Sequence, residues 1–117
     1  MDILILDHHP EFTDALSIAL RFAGYSSVSF ASPKQALAVI SDYDILITNY
    51  QMPEMTGLEV ARQAYSLGWR GSLLLMSDHS AAIEESPEHP LLRGILRKPF
   101  SYDTLQQALS VAVLQKN

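Results

Sequence analysis

At 117 residues, with 48% hydrophobic and 18% charged residues, the chain has the size and composition of one globular domain, residues 1–117, around a single core. A formal net charge of −5 with only eight scattered Lys and Arg argues against direct nucleic-acid binding, and the lack of cysteine excludes disulfides and thiolate metal sites. No apolar run is long enough to span a membrane, and Met1 leads into Asp2-Ile3-Leu4-Ile5-Leu6-Asp7 without a basic leader, so a cytoplasmic chain is expected.

Short apolar runs then alternate with amphipathic segments. Ile3–Leu6 has no polar alternation and predicts a strand buried on both faces. Pro10 opens a helix with Phe12, Leu16, Ala19, Leu20 and Ala23 on one face and Gly24 at its C-terminal end. Val28–Ala31 is a second strand, and Ser32-Pro33 starts a helix carrying Ala36, Leu37 and Ile40 inward. Asp44–Thr48 is a third strand, Gln51–Met55 a loop, and Thr56-Gly57 the start of a helix presenting Leu58, Ala61, Ala64 and Tyr65. Ser72–Met76 and Gly94–Arg97 complete five strands. Ser101 caps a last helix whose Leu105, Leu109, Ala112 and Val113 face the core. Between Ser77 and Arg93, Pro87 and Pro90 restrict any helix to a turn or two. Right-handed crossovers turn such a (βα)5 chain into a parallel sheet covered on both faces, a three-layer α/β sandwich.

In an open parallel sheet, ligands bind beyond the carboxyl ends of the strands. The residues there are Asp7-His8-His9, Asn49-Tyr50-Gln51, Ser77-Asp78 and Lys98-Pro99-Phe100. Strand ends are polar simply because they leave the core, which explains any one of these residues. It does not explain Lys98-Pro99-Phe100 after the last strand, or the run Met52-Pro53-Glu54-Met55-Thr56-Gly57-Leu58-Glu59.

Those two motifs, with the separations of Asp7, Asn49, Ser77 and Lys98 along the chain, resemble the receiver domains of two-component response regulators. The resemblance covers the whole length and implies a flavodoxin-like fold with sheet order 2-1-3-4-5. It implies phosphoryl transfer from a histidine kinase to an aspartate after the third strand, with Mg²⁺ held by three carboxylates and a lysine and a hydroxyl contacting the phosphoryl oxygens. Position by position, Asp7, Ser77 and Lys98 match. The second acidic position is His8, the phospho-acceptor position is Asn49, the residue after the hydroxyl is Asp78, and the switch aromatic is replaced by Ile95. Gln51 completes the pocket set.

An amide has no anionic oxygen to attack phosphorus. Two of three metal carboxylates are missing, so weak or absent Mg²⁺ binding is expected, with no other cofactor or metal. Asp78 adds a repulsion to an incoming phosphoryl group of about 4 kcal/mol for unit charges at ~4 Å in a surface-like dielectric. Four departures together argue against a single engineered silencing mutation. The expected function is therefore a non-enzymatic, atypical receiver. It would bind a protein partner (an output domain, a histidine kinase or another regulator) without phosphorylation, with a homodimer through Val111 and Leu114 as one version. The alternative is phosphorylation on a substitute acid, Asp7 or Asp78. A nucleotide- or flavin-binding module is disfavoured because His8-His9-Pro10-Glu11 lacks the glycines and hydroxyls that cradle phosphate. His8-His9 is read as a solvated loop in preference to a transition-metal site, with His8 a candidate pH-responsive contact to Asp7. Lys98 is expected to pair with Asp7 or hydrogen-bond Asn49, and Ile95 to fill the core. The partner surface is placed from Ala81 through Arg97 to the outer face of the last helix, with Glu84–Glu88 as a docking segment.

Overall fold

Three unbroken apolar runs form the centre of the molecule because residues buried on both faces of a sheet need no polar alternation. They are β1 (Asp2–Leu6), β3 (Ile45–Asn49) and β4 (Ser72–Ser77). The computed structural model describes residues 2–78 and 88–114. Within them the chain adds α1 (Pro10–Phe22), β2 (Ser26–Phe30), α2 (Pro33–Val39), a 3₁₀ turn at Ile40–Asp42, α3 (Gly57–Ser66), β5 (Leu92–Arg97) and α4 (Tyr102–Leu114). The strands form one parallel sheet in the order β2-β1-β3-β4-β5.

Alternate strand residues feed two cores. Ile3, Ile5, Ile45, Ile47, Leu74 and Met76 pack with Leu16 and Leu20 of α1 and Leu105, Leu109 and Ala112 of α4. Leu4, Leu6, Leu46, Leu73 and Leu75 face Ala36 of α2 and Val60, Ala61 and Ala64 of α3. The period of two along each strand thus produces the three layers.

Local chemistry sets the helix ends. Ser32 accepts a hydrogen bond from the Gln35 amide at 3.3 Å with Pro33 next in line, and Ser101 accepts from the Thr104 amide at 3.1 Å. Thr56 and Glu59 form a reciprocal capping box, at 3.1 and 3.3 Å, which contributes about 1 kcal/mol. Gly24, just after the C-cap of α1, has φ +96°, the left-handed conformation that ends helices and favours glycine.

Three strands match the sequence expectation to within one residue at either end, and two begin two residues earlier than expected. The second strand is Ser26–Phe30, not Val28–Ala31. It is an edge strand, and its register is dictated by β1, which pairs Asp2 with Ser26 and Leu6 with Phe30. Its serines are tolerated because this strand is largely exposed. The fifth begins at Leu92, two residues before the expected Gly94, with an irregularity in its pairing opposite Leu73 and Leu74. The doubtful helix after Ser77, and the docking segment Glu84–Glu88 for all but Glu88, lie outside the described residues, as does Ala81. No helix among the described residues is long and apolar enough to cross a membrane.

Candidate functional site

One residue past the buried end of β1, the chain turns from leucine to carboxylate. Asp7 is only 3% exposed, and its amide donates to the Phe30 carbonyl at 3.1 Å, so β2 extends its hold on the turn. Oδ2 accepts a hydrogen bond from Lys98 Nζ at 2.7 Å. Oδ1 accepts from the backbone amide of His9 at 3.2 Å and lies 3.0 Å from His9 Nδ1, with His8 Nδ1 at 3.8 Å. Burial pushes the Asp7 carboxyl up, but the Lys98 ammonium and the His9 hydrogen bonds outweigh it and hold the group below the ordinary carboxylate range.

Lys98 reaches this point from the end of β5 and is itself largely buried. Its ammonium lies 4.1 Å from the centroid of the Phe12 ring, and Phe12 meets Phe100 edge-on, so the triplet Lys98-Pro99-Phe100 is anchored on α1. The Lys98–Pro99 peptide is cis. Asp78 Oδ1 stands 4.0 Å from Nζ with its side chain about half exposed, which screens its charge.

Asn49 ends β3 and is 3% exposed. Its Nδ2 donates to the Gln51 carbonyl at 2.7 Å, while Oδ1 is buried with no hydrogen-bond partner among the described residues. The following loop is pinned by Tyr50 N to Met76 O and Gly57 N to Tyr50 O, both 2.7 Å. That closeness explains the glycine in the Met52–Glu59 run: a Cβ at position 57 would sit 2.4 Å from the Asn49 carbonyl oxygen. Ser77 ends β4, 3% exposed, and its carbonyl accepts from the Lys98 amide at 2.9 Å.

The structure therefore brings Asp7, His8, Asp78 and Lys98 within 4 Å links of one another. Asn49 and Ser77 occupy neighbouring strand ends, with Asn49 opposite Met76 in the β3–β4 register. Gln51 is exposed and enters through its backbone carbonyl. Ile95 packs partly buried against the core on the α2–α3 side, as a filler would. Of the two partners open to Lys98, Asp7 is the one it takes.

His8 lies 3.8 Å from Asp7, a contact the sequence reading named, but one neighbouring residue was missed. The imidazole closest to Asp7 belongs to His9, not His8. His9 occupies the N-cap position of α1 yet makes no side-chain cap; its ring turns back to the carboxylate. The signal was available: an aspartate two residues before a helix start readily accepts from the amide at i+2, and this draws that residue's side chain inward.

The family model of the response regulator receiver domain matches residues 3–110. Sensor protein EvgS of Escherichia coli (strain K12) is 33% identical over 94% of this chain, which corresponds to 9% of EvgS. The C4-dicarboxylate transport transcriptional regulatory protein DctD of Rhizobium meliloti (strain 1021) is 29% identical over 91% of this chain and 24% of its own length. The chain spans about a fifth of two Arabidopsis thaliana relatives at 27% identity. Among solved structures, Vibrio cholerae chemotaxis protein CheY4 superposes with a TM-score of 0.84, covering 95% of this chain and 97% of that one at 24% identity. The five-stranded order, the Lys98–Asp7 pair at the strand ends and these matches agree: the chain belongs to the response regulator receiver domain family.

Proposed function

We propose that this chain is an atypical receiver that works by binding a protein partner, without phosphorylation at position 49. The observation that carries this reading is Asn49: the side chain at the acceptor position is a buried amide whose nitrogen is already tied to the Gln51 carbonyl. An amide offers no anionic nucleophile. The pocket also does not fit Mg²⁺, which requires several hard, anionic oxygens. Asp7 is the one carboxylate left of the three positions, and its Oδ2 is held by Lys98. Its neighbours in the expected ligand set are an imidazole and a neutral amide.

A protein partner is also the reading suggested by the relatives, whose lengths greatly exceed the matched region. Exposed apolar side chains supply surface for it: Val111 and Leu114 on α4, with Ile18 and Phe22 on α1, where Phe22 meets Tyr102 edge-on. The competing reading, transfer to a substitute acid, draws on Asp78, which is exposed and 4.0 Å from Lys98. Asp7 is a poor candidate because its carboxylate is fully buried and ion-paired.

Incubation with a small-molecule phosphodonor and Mg²⁺, followed by intact-mass measurement, tests the proposal. The expected spectrum contains unmodified protein alone. A phosphoryl adduct lost in Asp78→Ala would establish the competing reading instead. Size-exclusion mass of the wild type and Leu114→Glu decides whether the partner is a second copy: equal monomer masses remove the homodimer.

A further inference from the structure

We propose that the turn after β1 is a binding site for a borderline divalent transition-metal ion, with Zn²⁺ as its test case, ligated by Asp7, His8 and His9. One ligand atom from each of these three residues lies within 4.8 Å of the other two. Tetrahedral Zn²⁺ with N and O bonds of roughly 2.0–2.1 Å has ligand-to-ligand edges of roughly 3.3 Å. The Asp7 Oδ1 separations of 3.0 Å to His9 Nδ1 and 3.8 Å to His8 Nδ1 bracket that edge. Two of the three edges are thus near tetrahedral length, and the imidazole rings that would turn to complete the set are the more exposed members of the cluster.

The surroundings favour an ion there. Asp7 is fixed by the sheet; Lys98 holds Oδ2, and Oδ1, which accepts from the His9 amide at 3.2 Å, faces both imidazoles with its remaining lone-pair capacity. The His8 and His9 rings lie side by side, with centroids 4.0 Å apart, and their side chains are 36% and 54% exposed, open to an ion from solvent. His9 forgoes the helix cap that its position invites and points its Nδ1 at the carboxylate. In the Nε2–H tautomer that same Nδ1 becomes a lone-pair donor, so a neutral imidazole can ligate without losing a proton to solvent. Among the described residues, Asn49 Oδ1 at the end of the neighbouring strand β3 is buried without a hydrogen-bond partner. Two imidazoles and one carboxylate suit Zn²⁺, Ni²⁺ or Cu²⁺ and not Mg²⁺, so the substitutions that spoil the oxygen site build a nitrogen one. The sequence preference for a solvated His8-His9 loop did not include the convergence of both Nδ1 atoms on Oδ1.

This inference rests on the donor atoms and stands whether or not any acid in the pocket accepts a phosphoryl group; its test contains no phosphodonor, so the two readings fail separately. Thermal unfolding of the untagged chain is measured with about 0.1 mM Zn²⁺ and, separately, with about 10 mM Mg²⁺. The expected result is a rise of about 5 °C or more with Zn²⁺ and none with Mg²⁺. His8→Ala and His9→Ala should each weaken the Zn²⁺ response, and the double variant should abolish it. Co²⁺ supplies a readout independent of stability, through the visible absorption of a tetrahedral N/O complex in the wild type and its loss in the double variant. Absence of both the Zn²⁺ shift and the Co²⁺ band overturns the proposal. So does a double variant that folds and keeps either one, because the ion is then held elsewhere.

Discussion

The bodies of β1, β3 and β4 and the residues at their carboxyl ends are almost equally buried, yet they obey different rules. Ile3–Leu6, Ile45–Ile47 and Leu73–Met76 are at most 1% exposed, and the strand-end residues Asp7, Asn49 and Ser77 are 3% exposed. In the apolar bodies every side chain loses water and gains close packing, so the energetics are those of volume. One residue further on, a buried side chain must find a hydrogen-bond partner or bear the cost of desolvation. Asp7 has found several, whereas Asn49, among the described residues, has satisfied its nitrogen and not its oxygen. Burial alone therefore does not separate core from site; the pattern of polar satisfaction does.

The largest effect should come from the apolar side of that contrast. Ile47→Ala removes a side chain with no exposed surface from the middle of the sheet. It should destabilise the fold by about 2–5 kcal/mol, read from the denaturant midpoint at unchanged slope. A loss below about 1 kcal/mol would mean that the core collapses around the cavity and that the two regions are not as distinct as described.

Next in size is the ion pair. Lys98→Met strands a buried carboxylate and should cost roughly 3 kcal/mol at neutral pH, whereas Asp7→Asn with Lys98→Met should recover much of it, since neither charge then remains. The pH dependence sharpens this. Because the folded-state pKa of Asp7 is lowered, its contribution is present above the unfolded carboxylate pKa and is lost as pH falls through the folded one. The wild type should therefore lose this increment on acidification. In Lys98→Met, with burial left as the leading influence on Asp7, the acid-side loss should shrink or reverse. Matching acid profiles of stability in the two proteins would show that the pair is not the group being titrated.

The smallest effect should be at Asn49. Asn49→Ala deletes one good hydrogen bond and one unsatisfied oxygen together, so stability should change by less than about 1 kcal/mol. A loss above about 2 kcal/mol would show that the side chain is held by more than its Gln51 hydrogen bond.

Much of the fold could be read before any coordinates, because apolar runs, proline and glycine punctuation and Ser or Thr caps act over a few residues. β1, β3, β4 and the helix starts at Pro33, Gly57 and Tyr102 follow from such local signals. The edge strand did not, because Ser26 and Ser27 carry no strand pattern and owe their conformation to pairing with β1. Asp7, His8, Asn49, Ser77, Asp78 and Lys98 could be named from motif spacing.

What remained for the tertiary structure was which of their atoms meet. The amino-acid sequence by itself determined a parallel sheet with polar strand ends and an amide, Asn49, at the end of the third strand, since side-chain chemistry and local periodicity need no distant partner. Only the folded chain decided that Lys98 closes on Asp7 from 91 residues away, and that His9, not His8, turns nearest to that carboxylate. A hydrogen bond depends on angstrom-scale direction, which spacing along a chain does not encode.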